Sequence, residues 1–375
     1  MRDNPHIDAL ILAEHAPQEF LGQDARARSR LTIDGTAASL PFLRAYFRHG
    51  QDAAAARRAL QRKGVPFVSI NGPYLCQYLT ERGFKVKAGA FPEDGPQHEA
   101  MPGRSEPPRA VVLSTTFLPF AAQIDTAAAR VKTVFPDAVI IAGGIQIWKS
   151  YRHRRLLDSG GLDPAMRRAV AAHNYFLDGD RDSPVDIFVI SDSGEATLAE
   201  LLSRLVRGEN WRTVHNTAYR DGGRWVFNPM RREPSTEVKV DWSRWPIPAK
   251  GRAYVPVQAG VGCRFRCAFC DFRGLRSPTL RDPQSVIREI RSIPPAEDGV
   301  RRVYFTDDNL FASKAHARRL LDGLEFDLIV LDVMMPGEDG ISLTRSLRAD
   351  LATPILLLTA KGETGERIEG LEAGA

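Results

Sequence analysis

Three of the chain's four cysteines fall within eight residues, as Cys263-Arg-Phe-Arg-Cys267-Ala-Phe-Cys270. Thiolates in a C-x3-C-x2-C run can wrap one corner of a compact metal cluster from a single loop. A secreted disulfide framework would instead spread an even number of cysteines through a much shorter chain. A fully protein-ligated [4Fe–4S] cluster needs four thiolates. Only Cys76 remains, in a predicted helix of another domain. Three ligands therefore leave one iron open to a substrate or cofactor. Structural zinc wants four Cys or His ligands in a closed tetrahedron. The nearest histidines, His215 and His316, are each more than 40 residues from a cysteine of the run. Cluster, zinc and three ligand-free buried thiols are the readings that spacing alone leaves open.

The chain around this loop alternates short apolar strands with helical segments. Asp8–Ala13, Pro66–Ile70 and Phe84–Lys87 read as strands, with a turn at Asn71-Gly72-Pro73 and a helix from Tyr74 to Arg82, closed by Gly83. Residues 91–108 hold five prolines and two glycines and read as an irregular loop. Ala110–Ser114, Ala138–Ala142 and Asp186–Ile190 are continuous apolar runs, the pattern of parallel strands covered on both faces. They end in Ser114-Thr115-Thr116, Gly143-Gly144 and Ser191-Asp192-Ser193-Gly194-Glu195. Open α/β sheets bind ligands at the carboxyl ends of their strands, so these three loops share one rim as a ligand site or as plain strand-to-helix turns. Residues 231–252 are rich in proline and tryptophan and read as a linker. Beyond them Tyr254–Gln258 is a strand leading into the cysteine loop. Asp282-Pro283 starts a helix with Val286, Ile287 and Ile290 as its buried stripe. Arg302–Thr306 is a strand ending in Asp307-Asp308-Asn309.

The cysteine loop, with Phe269 just before its last cysteine, resembles the signature of the radical S-adenosylmethionine superfamily. That resemblance implies a [4Fe–4S] cluster on Cys263, Cys267 and Cys270. The cofactor's amino and carboxylate groups would chelate the open iron, and one electron would split the sulfonium into methionine and a 5′-deoxyadenosyl radical. It further implies a (β/α) barrel with the cluster loop after its first strand and Phe269 against the adenine. Asp307 and Asp308 would lie near the methionine moiety, with capping of the helix after Phe311 as the competing reading. The upstream half is similar to the cobalamin-binding domain that precedes the barrel in one large subgroup. The resemblance rests on Ser114, Thr115, Gly143, Gly144, Gly194 and Glu195, although the usual Gly-Glu-Gly-Glu reads Ser191-Asp192-Ser193-Gly194-Glu195 here and no Asp-x-His-x-x-Gly occurs. Cofactors implied are the cluster, S-adenosylmethionine and cobalamin. Methyl transfer to an unactivated carbon of a small-molecule substrate is the favoured implied outcome, with radical rearrangement or ring formation as alternatives and an electron donor such as flavodoxin or ferredoxin.

Beyond Leu324 the resemblance changes. Phe326–Asp332 with Met334-Met335-Pro336 resembles the phosphoacceptor strand and loop of a response-regulator receiver domain, and Pro354–Ala360 its next strand. By that match Asp332 would be the phosphorylated aspartate and Thr359 the switch hydroxyl. The first receiver strand, with its acidic Mg²⁺ pair, is expected to be missing, as is the last, with its phosphate-binding lysine. Without those charges phosphoryl transfer lacks its stabilisation, which leaves Asp332 as phosphoacceptor or as a plain strand-end residue. The barrel is equally cut short. The expected fold is α/β throughout: a doubly wound Rossmann-like cobalamin-type domain at 1–230, a linker at 231–252, a truncated radical barrel at 253–323 and a flavodoxin-like receiver fragment at 324–375. A radical enzyme, a signalling module and an inactive joined product are the three resulting readings.

Composition narrows the partners. Basic residues number 51 and acidic ones 46, giving +5 spread along the chain, with no basic block interleaved with aromatics to suit nucleic acid. Apolar stretches such as Ala138–Trp148 fall short of the roughly 18 residues that span a bilayer. No apolar signal core follows Met1, so a cytoplasmic location away from membranes is expected.

Overall fold

The computed structural model describes residues 7–14, 32–33, 36–37, 69–90, 106–118, 120–161, 163–171, 174–177, 182–233, 239–245, 247, 254–263, 278–295, 299, 301–310, 313–324, 329–333, 339–349, 352–358 and 364–375. They fall into two compact units, Met1–Pro256 with Ser292–Tyr304, and Val257–Arg291 with Phe305–Ala375. Most of the expected strand at 66–70, Cys267, Phe269, Cys270 and Thr359 lie outside the described residues.

The first unit is built on a seven-stranded sheet of β1 (Ile7–Glu14), β2 (Val86–Ala90), β3 (Pro108–Ser114), β4 (Val139–Gly143), β5 (Ile187–Val189), β6 (Thr217–Asp221) and β7 (Arg224–Phe227). The order is β2-β1-β3-β4-β5-β6-β7. The first five pair in parallel and the last two antiparallel. Helices α1 (Asn71–Thr80), α2 (Ala121–Val134), α3 (Ile145–Asp158), α4 (Pro164–Val170) and α5 (Glu195–Arg207) accompany it. The chain winds one way from β1 to β2 and the other way from β3 onward, so right-handed crossovers place α1 and α2 on opposite faces. On one face Ile124, Ala128 and Val131 of α2 pack with Leu10, Leu12, Val111 and Leu113. On the other, α5 packs on β1, β3 and α1. Covering both faces is what requires β1, β3 and β4 to be continuously apolar.

Element ends differ from the sequence expectation in instructive ways. Helix α1 begins at Asn71 rather than after a turn, because proline is tolerated in a helix's first turn, where Pro73 sits. Pro108 opens β3 instead of ending the loop, a position that needs no ladder N–H. The β6–β7 hairpin has no counterpart among the expected strands, yet its signal is present. Gly222 and Gly223, with φ of 53° and 79°, form a two-residue turn between Ala218-Tyr219-Arg220 and Trp225-Val226-Phe227. Tyr175, Phe176, Phe188, Trp225 and Phe227 then bind the hairpin to β5, with ring centroids 4.7 Å apart for Tyr175–Phe188 and 4.9 Å for Phe176–Trp225.

The described part of the 231–252 stretch is packed onto the first unit. Trp242 is fully buried, and its N–H donates to Ser292 Oγ at 3.0 Å. The Asp241 N–H donates to Gln77 Oε1 at 2.7 Å.

Thr32–Ile33 and Thr36–Ala37 form a short antiparallel pair, and the later elements are β8 (Val255–Val257), β9 (Gly260–Val261), β10 (Thr279–Leu280), α6 (Pro283–Ser292), β11 (Val303–Phe305), α7 (Lys314–Asp322), β12 (Ile329–Asp332), α8 (Gly340–Arg348), β13 (Ile355–Leu358) and α9 (Thr364–Glu372). Among the described residues β8 pairs with β11, β9 with β10 and β12 with β13, as separate two-stranded sheets. No described strand joins the receiver-like pair β12–β13 to β8 or β11. Ile329, Leu331 and Ile355 pack against Leu343 and Leu347 of α8.

The second unit also buries an ion pair. Arg281 Nη2 lies 2.8 Å from Glu289 Oε2, and the two side chains are 6% and 1% exposed. Arg281 Nη1 donates to Gln258 O at 2.6 Å, and its own carbonyl lies 2.7 Å from His316 Nε2. Helix α6, capped by Asp282 accepting from the Ser285 N–H at 2.9 Å, buries Val286, Ile287 and Ile290 as its pattern predicts. Replacing Glu289 by Gln takes the carboxylate from a buried guanidinium, a change that costs about 3–5 kcal/mol. We expect Glu289→Gln to lower the urea midpoint of the second unit's unfolding, while Glu369→Gln on the surface leaves it in place.

Candidate functional site

The start of the cysteine loop is fixed from the end of a neighbouring strand. After β8 the chain runs through β9 and Gly262, which has φ +81°, to the half-buried Cys263. Three consecutive residues after β11 reach into this segment. Asp307 Oδ2 accepts the Ala259 N–H at 3.0 Å. Asp308 Oδ2 accepts the Gly262 N–H at 2.7 Å. Asn309 Nδ2 lies 3.9 Å from Cys263 Sγ as a donor to sulfur. The capping alternative for the two aspartates fails, because α7 is capped by Ser313, whose Oγ accepts from the His316 N–H at 3.3 Å.

Burial pushes the Asp307 carboxyl up to about 6. The N–H groups of Ala259 and Gly260 and the Arg281 guanidinium pull it down, and the Asp308 charge pushes it further up. Asp307 Oδ1 is buried and has no hydrogen-bond partner in good geometry among the described residues. Gly260 is required beside it. A Cβ there would lie 2.8 Å from Leu280 Cδ2 and 3.0 Å from Thr279 O. Asn309 and Gly260 are parts of this arrangement that the cysteine spacing alone does not reveal. A polar residue continuing the Asp307-Asp308 run was the available signal for Asn309. Cys76 is buried in α1, where desolvation pushes its thiol up to about 12, the behaviour of an inert core cysteine.

In the first unit the expected rim is assembled. Ser114 and Gly143 end β3 and β4, Thr115 and Gly144 follow them, and Gly194 and Glu195 come after β5, with β3 beside the point where strand order reverses. Thr115 Oγ1 donates to Gly143 O at 2.9 Å. Asn71, at the start of α1, donates to Ser114 Oγ at 3.2 Å and Thr116 Oγ1 at 2.9 Å. Gly144 has φ +115°, and a Cβ on it would lie 3.2 Å from Thr115 N. At Gly194 a Cβ would lie 2.6 Å from Val189 Cγ1. Glu233 occupies the start of α5, where Oε1 accepts the Thr197 N–H at 2.8 Å and the Thr197 hydroxyl. The rim's glycines and hydroxyls are thus accounted for by packing against one another. The position, at the carboxyl ends of parallel strands, is where open α/β sheets bind ligands.

Asp332 is the last residue of β12, in register with Leu358 of β13. Among the described residues no group of three or more His, Cys, Asp or Glu side chains is placed to hold a metal ion.

Residues 300–375 match the response regulator receiver domain family. That match starts upstream of the expected junction at Leu324 and takes in β11 and α7. Protein PetR of Rhodobacter capsulatus is 85% identical over 61 residues, covering 16% of this chain and 26% of PetR. Transcriptional regulatory protein ResD of Bacillus subtilis is 47% identical over 77 residues, 20% of this chain and 32% of ResD. The chain therefore spans about a quarter to a third of the length of these relatives. Among solved structures, the radical S-adenosylmethionine methyltransferase TsrM from Kitasatospora setae is similar with a TM-score of 0.48 and 17% identity, over 78% of this chain and 56% of TsrM. The cobalamin-dependent S-adenosylmethionine radical enzyme OxsB is similar with a TM-score of 0.47 and 15% identity, over 83% of this chain and 44% of OxsB.

The raised Asp307 carboxyl has a consequence for stability. A folded value of about 6 above an ordinary 3.8 favours the folded chain fully below pH 4, and that contribution is lost as pH rises through 6. The difference amounts to about 3 kcal/mol. In the metal-free chain, Asp307→Asn is expected to gain on the unsubstituted chain by about that much between pH 4 and pH 7, read from urea unfolding at each pH.

Proposed function

We propose that residues 1–323 are a radical S-adenosylmethionine enzyme, with Cys263, Cys267 and Cys270 holding a [4Fe–4S] cluster. The single observation that carries this reading is the clamp on the cysteine loop. Two carboxylates take the backbone N–H groups at its start, and an amide approaches the first sulfur.

When bound, the cluster supplies one electron that cleaves S-adenosylmethionine to methionine and the 5′-deoxyadenosyl radical. The protein's part is to place and shield that cofactor. Asp307 fits a cationic ligand, because its buried Oδ1 has no well-aligned hydrogen-bond partner among the described residues and a nearby positive charge would hold its carboxyl ionised. Asp308 keeps Gly262 and hence Cys263 in place. Phe269 would lie against the adenine. In the first unit, the rim of Ser114, Thr115, Gly143, Gly144, Gly194 and Glu195 would take cobalamin, and methyl transfer to a small-molecule substrate follows from that pairing. Flavodoxin or ferredoxin would deliver the electron. A cytoplasmic, membrane-free setting suits an oxygen-sensitive cluster, and no helix among the described residues is long and apolar enough to cross a membrane.

A second reading is favoured by the receiver match at residues 300–375. In it the C-terminal segment is a signalling module phosphorylated on Asp332. A third is that the joined chain has lost activity at the junction.

The decisive assay is anaerobic. The chain is reconstituted with iron and sulfide, reduced with dithionite and mixed with S-adenosylmethionine. We expect 5′-deoxyadenosine, absent from Cys267→Ala, and visible absorbance of hydroxocobalamin retained through gel filtration. A bound cluster without 5′-deoxyadenosine would favour the inactive chain. Failure to bind iron would overturn the reading. Labelling by acetyl phosphate and Mg²⁺ that disappears in Asp332→Asn would establish the signalling module instead.

A further inference from the structure

We infer that Asn309 is a positioning residue that tunes the cluster through Cys263, an inference that rests on the cluster reading above. Its side-chain amide sits 3.9 Å from Cys263 Sγ, within reach of the large sulfur atom. Asn309 belongs to a run whose partners follow along the loop in the same chain order. Asp307 meets Ala259, Asp308 meets Gly262 and Asn309 meets Cys263.

The residue types match their partners. The two carboxylates, which only accept, meet two backbone N–H groups, which only donate. The third partner is a sulfur that accepts, and the side chain opposite it is the one in the run that carries N–H donors. A carboxylate at 309 would set like charge against the thiolate. It would also add to the two aspartates that already make this corner negative, Asp308 among the charges that push Asp307 up.

An N–H aimed at a ligand sulfur stabilises the extra negative charge of the reduced cluster, so it raises the reduction potential. Asp307 and Asp308 act in the opposite sense, since nearby negative charge disfavours adding an electron. Asn309 therefore offsets part of the cost that its two neighbours impose while they hold the loop. The surroundings strengthen the effect. Gly262 is buried and Cys263 half-buried, so the amide acts through a medium of lower dielectric than water.

The test uses the full chain, reconstituted anaerobically with iron and sulfide. Iron per chain is counted and the cluster is titrated against redox mediators by visible absorbance and electron paramagnetic resonance. Asn309→Leu removes the donor at similar volume. Asn309→Asp keeps the shape but replaces the donors by a charge. We expect both to hold iron and to titrate at more negative potential than the unsubstituted chain, the Asp variant shifted further than the Leu variant. Asn309→His, which keeps an N–H donor, is expected to stay near the unsubstituted potential. Full iron content with unchanged potential in the Leu and Asp variants overturns the inference. Should both lose iron, a His variant that keeps it supports the donor role, and a His variant that also loses it overturns that role. An unsubstituted chain that binds no iron is a different failure, that of the cluster reading itself, and it shows before any variant is made.

Discussion

Two carboxylates hold the backbone from which the cysteine loop departs, and the candidate site's geometry depends on them. Strand β9 is only two residues long and ends at Val261, so the N–H groups on either side of it have little ladder to enter. A buried N–H without a partner costs about 1–3 kcal/mol, and Asp307 and Asp308 remove that cost at Ala259 and Gly262. The arrangement has its own expense. Asp307 is buried deeply enough that its carboxyl resists ionisation, and this is tolerated because the same oxygens that are hard to bury are the ones the loop needs. Carboxylates held this way are poised to respond to a cationic ligand, which would relieve the burial and the repulsion from Asp308 together.

The first unit solves a different problem with similar means. At the ends of β3, β4 and β5 close packing fixes the course of the chain. At Gly144 the backbone turns at φ +115° against Thr115, and Thr115 returns a hydrogen bond to Gly143. Asn71 ties the start of α1 to two hydroxyls after β3, bridging the place where strand order reverses. The rim is therefore stiff before any ligand arrives, and stiffness of this sort lowers the ordering cost of binding. Glu233 adds to it from a segment whose neighbours Asp241 and Trp242 are also anchored to the first unit. The start of α5, which would otherwise present unpaired N–H groups to an anion, is already served by that carboxylate.

How far these features could be read from sequence depends on the range over which each is determined. The cysteine run, the Asp282 cap and the buried stripe of α6 are local, and periodicity and spacing reveal them. The apolar runs of β3 and β4 are legible because both faces of a parallel sheet must be covered. The start of α1 is not, because an Asn-Gly-Pro sequence suits a turn and a helix's first turn equally, and only the pairing of Asn71 with Ser114 and Thr116 decides. The β6–β7 hairpin escapes for another reason: an aromatic cluster spread over 175–227 pins it, and no short window contains that cluster. Asn309 illustrates the same limit, since its role depends on a cysteine 46 residues earlier.

The C-terminal segment shows what happens when local preference lacks surroundings. Strands β12 and β13 read Ile-Val-Leu-Asp and Ile-Leu-Leu-Leu, compositions suited to a sheet covered on both faces. Among the described residues the two strands pair only with each other. One face is served by α8 through Leu343 and Leu347, while Leu356 on the other remains half exposed, as do Ile368 and Leu371 of α9. A two-stranded parallel sheet is marginal alone, because parallel pairing draws most of its stability from burial on both sides. The receiver-like strands therefore hold their local form without the neighbours their side chains are built for. The clamp at Asp307 and Asp308 differs in that both partners of each bond lie within 257–309. The clamp at the loop's start thus draws on none of the residues that follow Asn309.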